Sequence, residues 1–248
     1  MQAVASELIV LLKKLQSFES LRSFSLGGGT NLALRYHHRK SDDIDLFTDQ
    51  IIGKGGFEKI RIELENQFGD NLSGFQYPCD ENDQFIFARC FIKEGDQNIK
   101  VEILQNMKIT QEIETIEDIR MISKIDIGLF KLVSASNRLA KKDIYDLDHI
   151  TNEIHLSELC HLLSEKKNTF NSPEDRTVFD LDELCPLDNP ELLLKFDEGA
   201  SRNKRIPNHS NDNIIKINGP NWMSVRYSWR SKVRGYYSKI GFNYQFNH

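Results

Sequence analysis

The sequence is poor in the patterns that mark secreted, metal-caged and membrane proteins. Its four cysteines (Cys79, Cys90, Cys160, Cys185) show no short paired spacing. That excludes a zinc knuckle or a disulfide framework and predicts a reduced, cytoplasmic setting. No apolar run nears the roughly 20 residues that cross a bilayer, so no membrane partner is expected. The first twenty residues lack the order of a signal peptide, because acids and bases are interspersed among Val4, Leu8, Leu11, Leu12 and Leu15. Seven histidines (His37, His38, His149, His155, His161, His209, His248) offer no metal-ligand spacing. His155 and His161 are six apart and match no helical ligand pair, and His37-His38, in the turn before Arg39, is expected to be exposed. There is no internal repeat, and no Ser-His or Cys-His arrangement for a covalent nucleophile.

What the chain has is size and a charge asymmetry. Its 248 residues, 39% hydrophobic and 28% charged, suit a soluble globular protein of one large domain or two modest ones. Residues 201–248 carry nine Lys/Arg against one acid, Asp212, for a sum of +8; the first 200 residues carry 23 basic and 36 acidic residues, for −13. A basic end on an acidic body fits a polyanionic partner. A solvated, loosely packed end is the alternative.

Periodicity predicts an amphipathic helix over the first 17 residues and a short strand at Phe24–Leu26 that breaks at Gly27-Gly28-Gly29. Thr30 is placed to cap a helix through Asn31–Arg35. Strands are predicted at Ile44–Phe47, Phe85–Ile92 and Ile99–Leu104, with a helix at Phe57–Phe68 between the first two. Helices are predicted at Ile116–Asn137, Lys142–Ile150, Leu156–Ser164 and Pro173–Leu184. Residues 201–221 read as a loop into the basic, aromatic end. Strands and helices mix in the first 105 residues and helices follow, an α+β outline.

Chemistry concentrates in one stretch. Three glycines between a strand and a helix let the backbone approach a ligand closely, and the free N–H groups of the helix start make an anion site suited to phosphate. On the next strand Asp43 and Asp45 are i and i+2, so they project together while Ile44 and Leu46 face the core. Adjacent carboxylates repel unless a cation lies between them, and hard oxygen ligands of this kind suit Mg²⁺ that also takes substrate phosphates. A solvated strand face is the alternative. Glu102 is the lone acid in the apolar alternation 100–104 and is the candidate third carboxylate; an edge-strand charge is the rival reading. Lys131 and Arg138 are seven apart, on one helix face, where they could offset phosphate charge or pair with surface acids. Asp143 reads as structural.

Gly28-Gly29-Thr30-Asn31-Leu32-Ala33-Leu34-Arg35, followed by Arg39-Lys40-Ser41-Asp42-Asp43-Ile44-Asp45-Leu46-Phe47, resembles the signature of the abortive-infection (AbiEii-like) toxins of the DNA polymerase β-like nucleotidyltransferase superfamily. Lys131 through Arg138 and then Lys141-Lys142-Asp143-Ile144-Tyr145-Asp146-Leu147 resembles the same family's C-terminal motif. The resemblance spans about residues 20–150. It implies an N-terminal mixed-sheet nucleotidyltransferase fold with flanking helices, followed by a mainly helical part. Residues 1–110 would be the catalytic core, 111–200 a helical domain completing the nucleotide site, and 201–248 a basic aromatic segment.

The resemblance also implies roles. Gly28, Gly29 and Thr30 would line the triphosphate of an NTP, with Arg39 and Ser41 organising the loop before the metal strand. Asp43, Asp45 and Glu102, the last where Asp is usual, would hold Mg²⁺ or Mn²⁺. Lys131, with Arg138, would contact phosphates, and Asp146 would be the motif's acidic member. The expected reaction moves a nucleoside monophosphate onto an acceptor hydroxyl and releases pyrophosphate, as the toxin of a toxin–antitoxin or phage-defence pair with a cognate antitoxin. A phosphotransferase using the same pocket, or a silent nucleotide- or RNA-binding module, are the rivals.

The aromatic end, with Trp222, Tyr227, Trp229, Tyr236, Tyr237, Phe242, Tyr244 and Phe246 among Arg226, Arg230, Lys232, Arg234 and Lys239, has two readings. It grips a nucleic acid, tRNA or other RNA being the natural acceptor, or it packs onto the helical half.

Overall fold

The computed structural model describes residues 2–138, 140–181, 184–197 and 214–244. Part of the predicted 201–221 loop, and Phe246 of the aromatic end, lie outside them. Helix α1 (Ser6–Ser17) buries Leu8, Leu11, Leu12 and Leu15, as its spacing predicts; full burial of such side chains is worth roughly 1.5–3 kcal/mol each. Strand β1 (Ser25–Leu26), helix α2 (Gly28–Tyr36), strand β2 (Asp43–Phe47) and helix α3 (Gly53–Phe68) follow. Then come β3 (Leu72–Cys79), the one-turn α4 (Asn82–Phe85), β4 (Phe87–Glu94), β5 (Gln97–Leu104), β6 (Glu114–Ile116) and β7 (Ile119–Met121). Helices α5 (Lys124–Arg138), α6 (Lys141–Ile150), α7 (Leu156–Thr169) and α8 (Trp222–Ile240) complete the described chain.

The seven strands form one mixed sheet in the order β3-β4-β5-β2-β1-β7-β6. β2 runs parallel to β5, and β1 parallel to β7. The fold is α+β, and the sheet draws strands from residues 25 to 121. Strand alternation gives each face its own character. Ile44, Leu46, Ala88, Val101 and Ile103 point into a core shared with α1 and α3. Phe47 and Leu104 point the other way, into a second core built mainly from α5, α6, α7 and α8. Asp43, Asp45 and Glu102 share the parity of Phe47 and Leu104. The acids therefore lie on the face toward the helical half.

Two predicted helices are corrected. Residues 114–121 form the β6–β7 hairpin, turning at Glu117 and Asp118, whose φ values are +50° and +65°. Ile116, Ile119 and Ile122 are three apart, which mimics a helical stripe, but Ile119 and Met121 alternate into the core as strand residues. Where a helix is predicted at Pro173–Leu184, the described residues 173–181 hold two short 3₁₀ turns, Pro173–Asp175 and Val178–Asp180, and residues 182 and 183 lie outside the described ones. In each, a carboxylate three residues on bonds back to the starting residue: Asp175 accepts from the Ser172 N–H at 3.2 Å and Asp180 from the Thr177 N–H at 2.8 Å. Such local bonds close single turns instead of extending a helix.

The rings of the C-terminal end largely belong to the core. Trp229, Tyr236 and Tyr237 are buried with Val225 and Val233, and the Trp229 indole donates to the Leu193 carbonyl at 2.8 Å. Packing onto the helical half is thus what these rings do; Tyr227 is 65% exposed. Cys90, Cys160 and Cys185 are buried and all four cysteines are free. Among the described residues no helix is long and apolar enough to cross a membrane.

Candidate active site

Gly28 has φ +60°, and a Cβ there would sit 1.7 Å from Asp45 Oδ2. A Cβ on Gly29 would come within 2.3 Å of the Arg39 guanidinium. Glycine at both positions lets the turn close directly onto these two side chains. The Gly27 N–H donates to the Asp45 carbonyl at 2.7 Å, tying the turn to the metal-candidate strand.

Thr30 does not cap α2, which begins at Gly28 with Gly27 as its cap residue. Thr30 is buried inside the helix, and its hydroxyl engages the Asp43 carbonyl and the Ser41 hydroxyl, the latter at 2.9 Å. It braces the strand from beneath, while Gly28, Gly29, Ser41 and Arg39 line the groove itself.

The β2–β5 register sets Asp45 beside Glu102 and Asp43 beside Lys100. Glu102 accepts from Arg89 at 2.6 Å and from Lys100 at 2.9 Å, and Lys100 also reaches Asp43 at 3.3 Å. Burial disfavours the Glu102 charge, but Lys100 and Arg89 outweigh it and hold the carboxyl below its ordinary range. Asp45 has no such cover. Burial, then Glu102 and Asp43, push its carboxyl up to about 6 despite Lys100 and Lys131.

Behind the groove lies a charge network. Asp146 is fully buried and takes Arg39 in a bidentate grip, both contacts at 2.7 Å. It also accepts from Lys131 at 2.9 Å, and His38 Nε2 lies 2.8 Å away. Asp143, likewise buried, bonds Lys131 at 2.6 Å and Arg138 at 2.7 Å. Burial opposes both acids' charge, but these cations hold the two carboxyls well below the usual range. Buried charges endure only when paired in this way. The expectation that His38 is exposed is corrected: it is 1% exposed, with burial lowering its pKa. Asp146 stands behind Arg39 and Lys131 and does not line the groove, whereas Asp143 does.

The groove, about 520 Å³, thus has a charged end carrying Asp43, Asp45, Glu102, Arg39, Lys131 and Arg138. Its other end is apolar, with Phe47, Phe87, Phe130 and Phe179. Among the described residues no three His, Cys, Asp or Glu side chains form a ready-made metal cage. Two crowded carboxylates, one of them destabilised as an anion, still fit a divalent cation whose remaining ligands come from substrate phosphates.

The family model described as nucleotidyl transferase AbiEii toxin, of type IV toxin–antitoxin systems, matches residues 10–208. This chain belongs to the AbiEii nucleotidyltransferase toxin family. An uncharacterised protein of Aquifex aeolicus (strain VF5) is 32% identical over 136 residues, 55% of this chain and 61% of that relative. The match therefore spans less than two thirds of the relative's length. In fold, this chain is similar to MenT4, a nucleotidyltransferase toxin from Mycobacterium tuberculosis H37Rv. That similarity has a TM-score of 0.53 at 14% identity over 92% of this chain and 84% of the other.

Sequence reasoning missed Arg89, Lys100 and His38; the structural reading of Asp143 agrees with its ion pairs to Lys131 and Arg138. Arg89 reaches Glu102 only through the β4–β5 register, whereas Lys100 stands two residues before Glu102 on β5 and shares its face by the strand period alone. His38 adjoins Arg39 in sequence, a hint that its partner would be shared.

Proposed function

We propose that this AbiEii toxin transfers a nucleoside monophosphate from an NTP to an acceptor hydroxyl, with RNA as the acceptor and a cognate antitoxin as its restraint. The observation that carries the reading is Asp45 seated on the Gly28 backbone, with Asp43 beside it and with Arg39 and Lys131 anchored within the same groove. Mg²⁺ or Mn²⁺, held by Asp43 and Asp45, would supply charge neutralisation at the reacting phosphate. The protein's own part is positioning. The glycine turn and the α2 amides receive phosphate oxygens. Arg39 and Lys131 present fixed positive charge, because Asp146 and Asp143 hold them. Phe47, Phe87, Phe130 and Phe179 offer rings and apolar surface for a nucleobase.

The acceptor oxygen attacks the α-phosphorus and gives up its proton to solvent water, the bond between that phosphorus and the α,β-bridging oxygen breaks, and pyrophosphate leaves with that oxygen. Glu102, ionised and engaged by two cations, is a poor proton acceptor; its proposed part is as a charge beside Asp45. Support for an RNA acceptor is the +8 sum over residues 201–248.

The test is incubation of the full chain with each α-labelled NTP, Mg²⁺ and total RNA, beside a γ-labelled control. α-Label on RNA with pyrophosphate release supports the reading. Transfer of γ-label makes the protein a phosphotransferase. Label on nothing supports a silent module, an outcome that the Glu102 ion pairs would then explain.

A further inference from the structure

The cations of the groove are not equivalent. Arg39 is committed to Asp146 at 2.7 Å, Arg89 to Glu102 at 2.6 Å, Lys100 to Glu102 at 2.9 Å, Lys131 to Asp143 at 2.6 Å and Arg138 to Asp143 at 2.7 Å. Lys142 also lines the groove, yet among the described residues its ammonium has no hydrogen-bond or ion-pair partner. It stands in the first turn of α6 beside Asp143, whose bonds to Lys131 and Arg138 fix that turn against α5.

We propose that Lys142 is a phosphate ligand of this groove, binding the polyphosphate of the nucleotide; the assignment rests on the nucleotidyl-transfer reading above.

Charge and place both support it. The side chain is half-buried, and the electrostatic neighbours it feels are Arg39, Asp43, Asp42 and Asp146. Arg39, Asp43 and Asp42 line the groove and Asp146 stands behind it; Arg39 there packs against Gly29. Burial and then Arg39 pull the ammonium's pKa down, so the cation is under-compensated where it stands. Asp42 is already paired with Lys40 at 3.0 Å, and Asp43 lies within reach of Lys100 at 3.3 Å. A polyphosphate brings several negative charges to this spot, and a flexible ammonium suits it as a point-charge partner. Sharing one groove with Gly28 and Gly29 favours the nucleotide's phosphates over those of an acceptor strand.

The first experiment is calorimetric titration of inorganic tripolyphosphate, with Mg²⁺, into the full-length protein and its Lys142→Gln and Lys142→Arg variants. The wild type is expected to bind. Lys142→Gln should bind about 10- to 100-fold more weakly, the range of a charge-assisted hydrogen bond, and Lys142→Arg within about threefold of wild type. Equal affinity in Lys142→Gln, or no binding by the wild type, overturns the assignment. Because Lys142 has no hydrogen-bond or ion-pair partner among the described residues, Lys142→Gln should keep the wild-type Tm; a marked drop would make the residue structural and overturn the proposal.

The second experiment measures transfer. Lys142→Gln should raise KM for the NTP and leave KM for RNA unchanged. The reverse pattern gives the phosphate to the acceptor strand and refutes the nucleotide assignment. Absence of transfer by the wild type refutes the nucleotidyl-transfer reading by itself, and the tripolyphosphate titration then decides Lys142.

Discussion

The carboxylate of Asp45 rests on the backbone of Gly28, so closely that a Cβ on Gly28 would stand 1.7 Å from Oδ2. This contact joins the phosphate-candidate turn to the metal-candidate strand without any intervening side chain.

Gly28→Ala tests that contact. The φ of +60° costs an L-residue about 1–2 kcal/mol, and the methyl must also displace Asp45. The variant is expected to lose at least ten-fold in transfer rate and several degrees in Tm, checked by label transfer and thermal unfolding. Wild-type activity would show that turn and carboxylate act independently.

Asp146→Asn tests the network behind the groove. The carboxylate serves Arg39, Lys131 and His38 from a fully buried position. Breaking a buried pair by removing one partner costs about 3–5 kcal/mol. Urea unfolding should show a loss of that order, with transfer falling because Arg39 and Lys131 lose their anchor. A variant of unchanged stability and lost activity would instead place Asp146 in contact with substrate.

The pH dependence of stability follows from Asp45. Its folded pKa of about 6 lies above the ordinary value of 3.8, so between those values the folded state holds the proton more tightly than the unfolded chain. The stabilisation is fully present below about pH 4 and is lost as pH rises through 6. Its size is on the order of 3 kcal/mol. Without divalent ions, Asp45→Asn should flatten this fall in unfolding free energy across pH 4–6. Parallel curves for the two proteins would show that Asp45 does not carry it.

Much of the site was legible because its signals are local. The glycine run, the i, i+2 aspartates and the Lys131–Asp146 segment lie in short stretches where strand and helix periods decide direction. Glu102 could be nominated from its place in an apolar alternation, but its position beside Asp45 depends on a parallel pairing across more than fifty residues. The same limit hid Arg89, while Lys100, two residues before Glu102 on one strand, was open to the strand period. Thr30 misled because a hydroxyl after glycines fits a cap, whereas here the helix starts two residues earlier and the hydroxyl serves the next strand. The 114–121 hairpin misled because isoleucines three apart satisfy a helical stripe over so short a window. Among the aromatics of the C-terminal end, composition could not separate rings that stack on bases from rings that fill a core; burial of Trp229 and Tyr237 could.

The central claim, that Asp43 and Asp45 together support nucleotide transfer from this groove, is tested most directly by one comparison. Wild type, Asp43→Asn and Asp45→Asn are incubated with α-labelled NTPs, Mg²⁺ and RNA, and pyrophosphate and labelled RNA are measured while circular dichroism confirms the fold. Each variant is expected to keep its fold and to lose at least 100-fold in rate. Transfer at the wild-type rate by either folded variant would contradict the account.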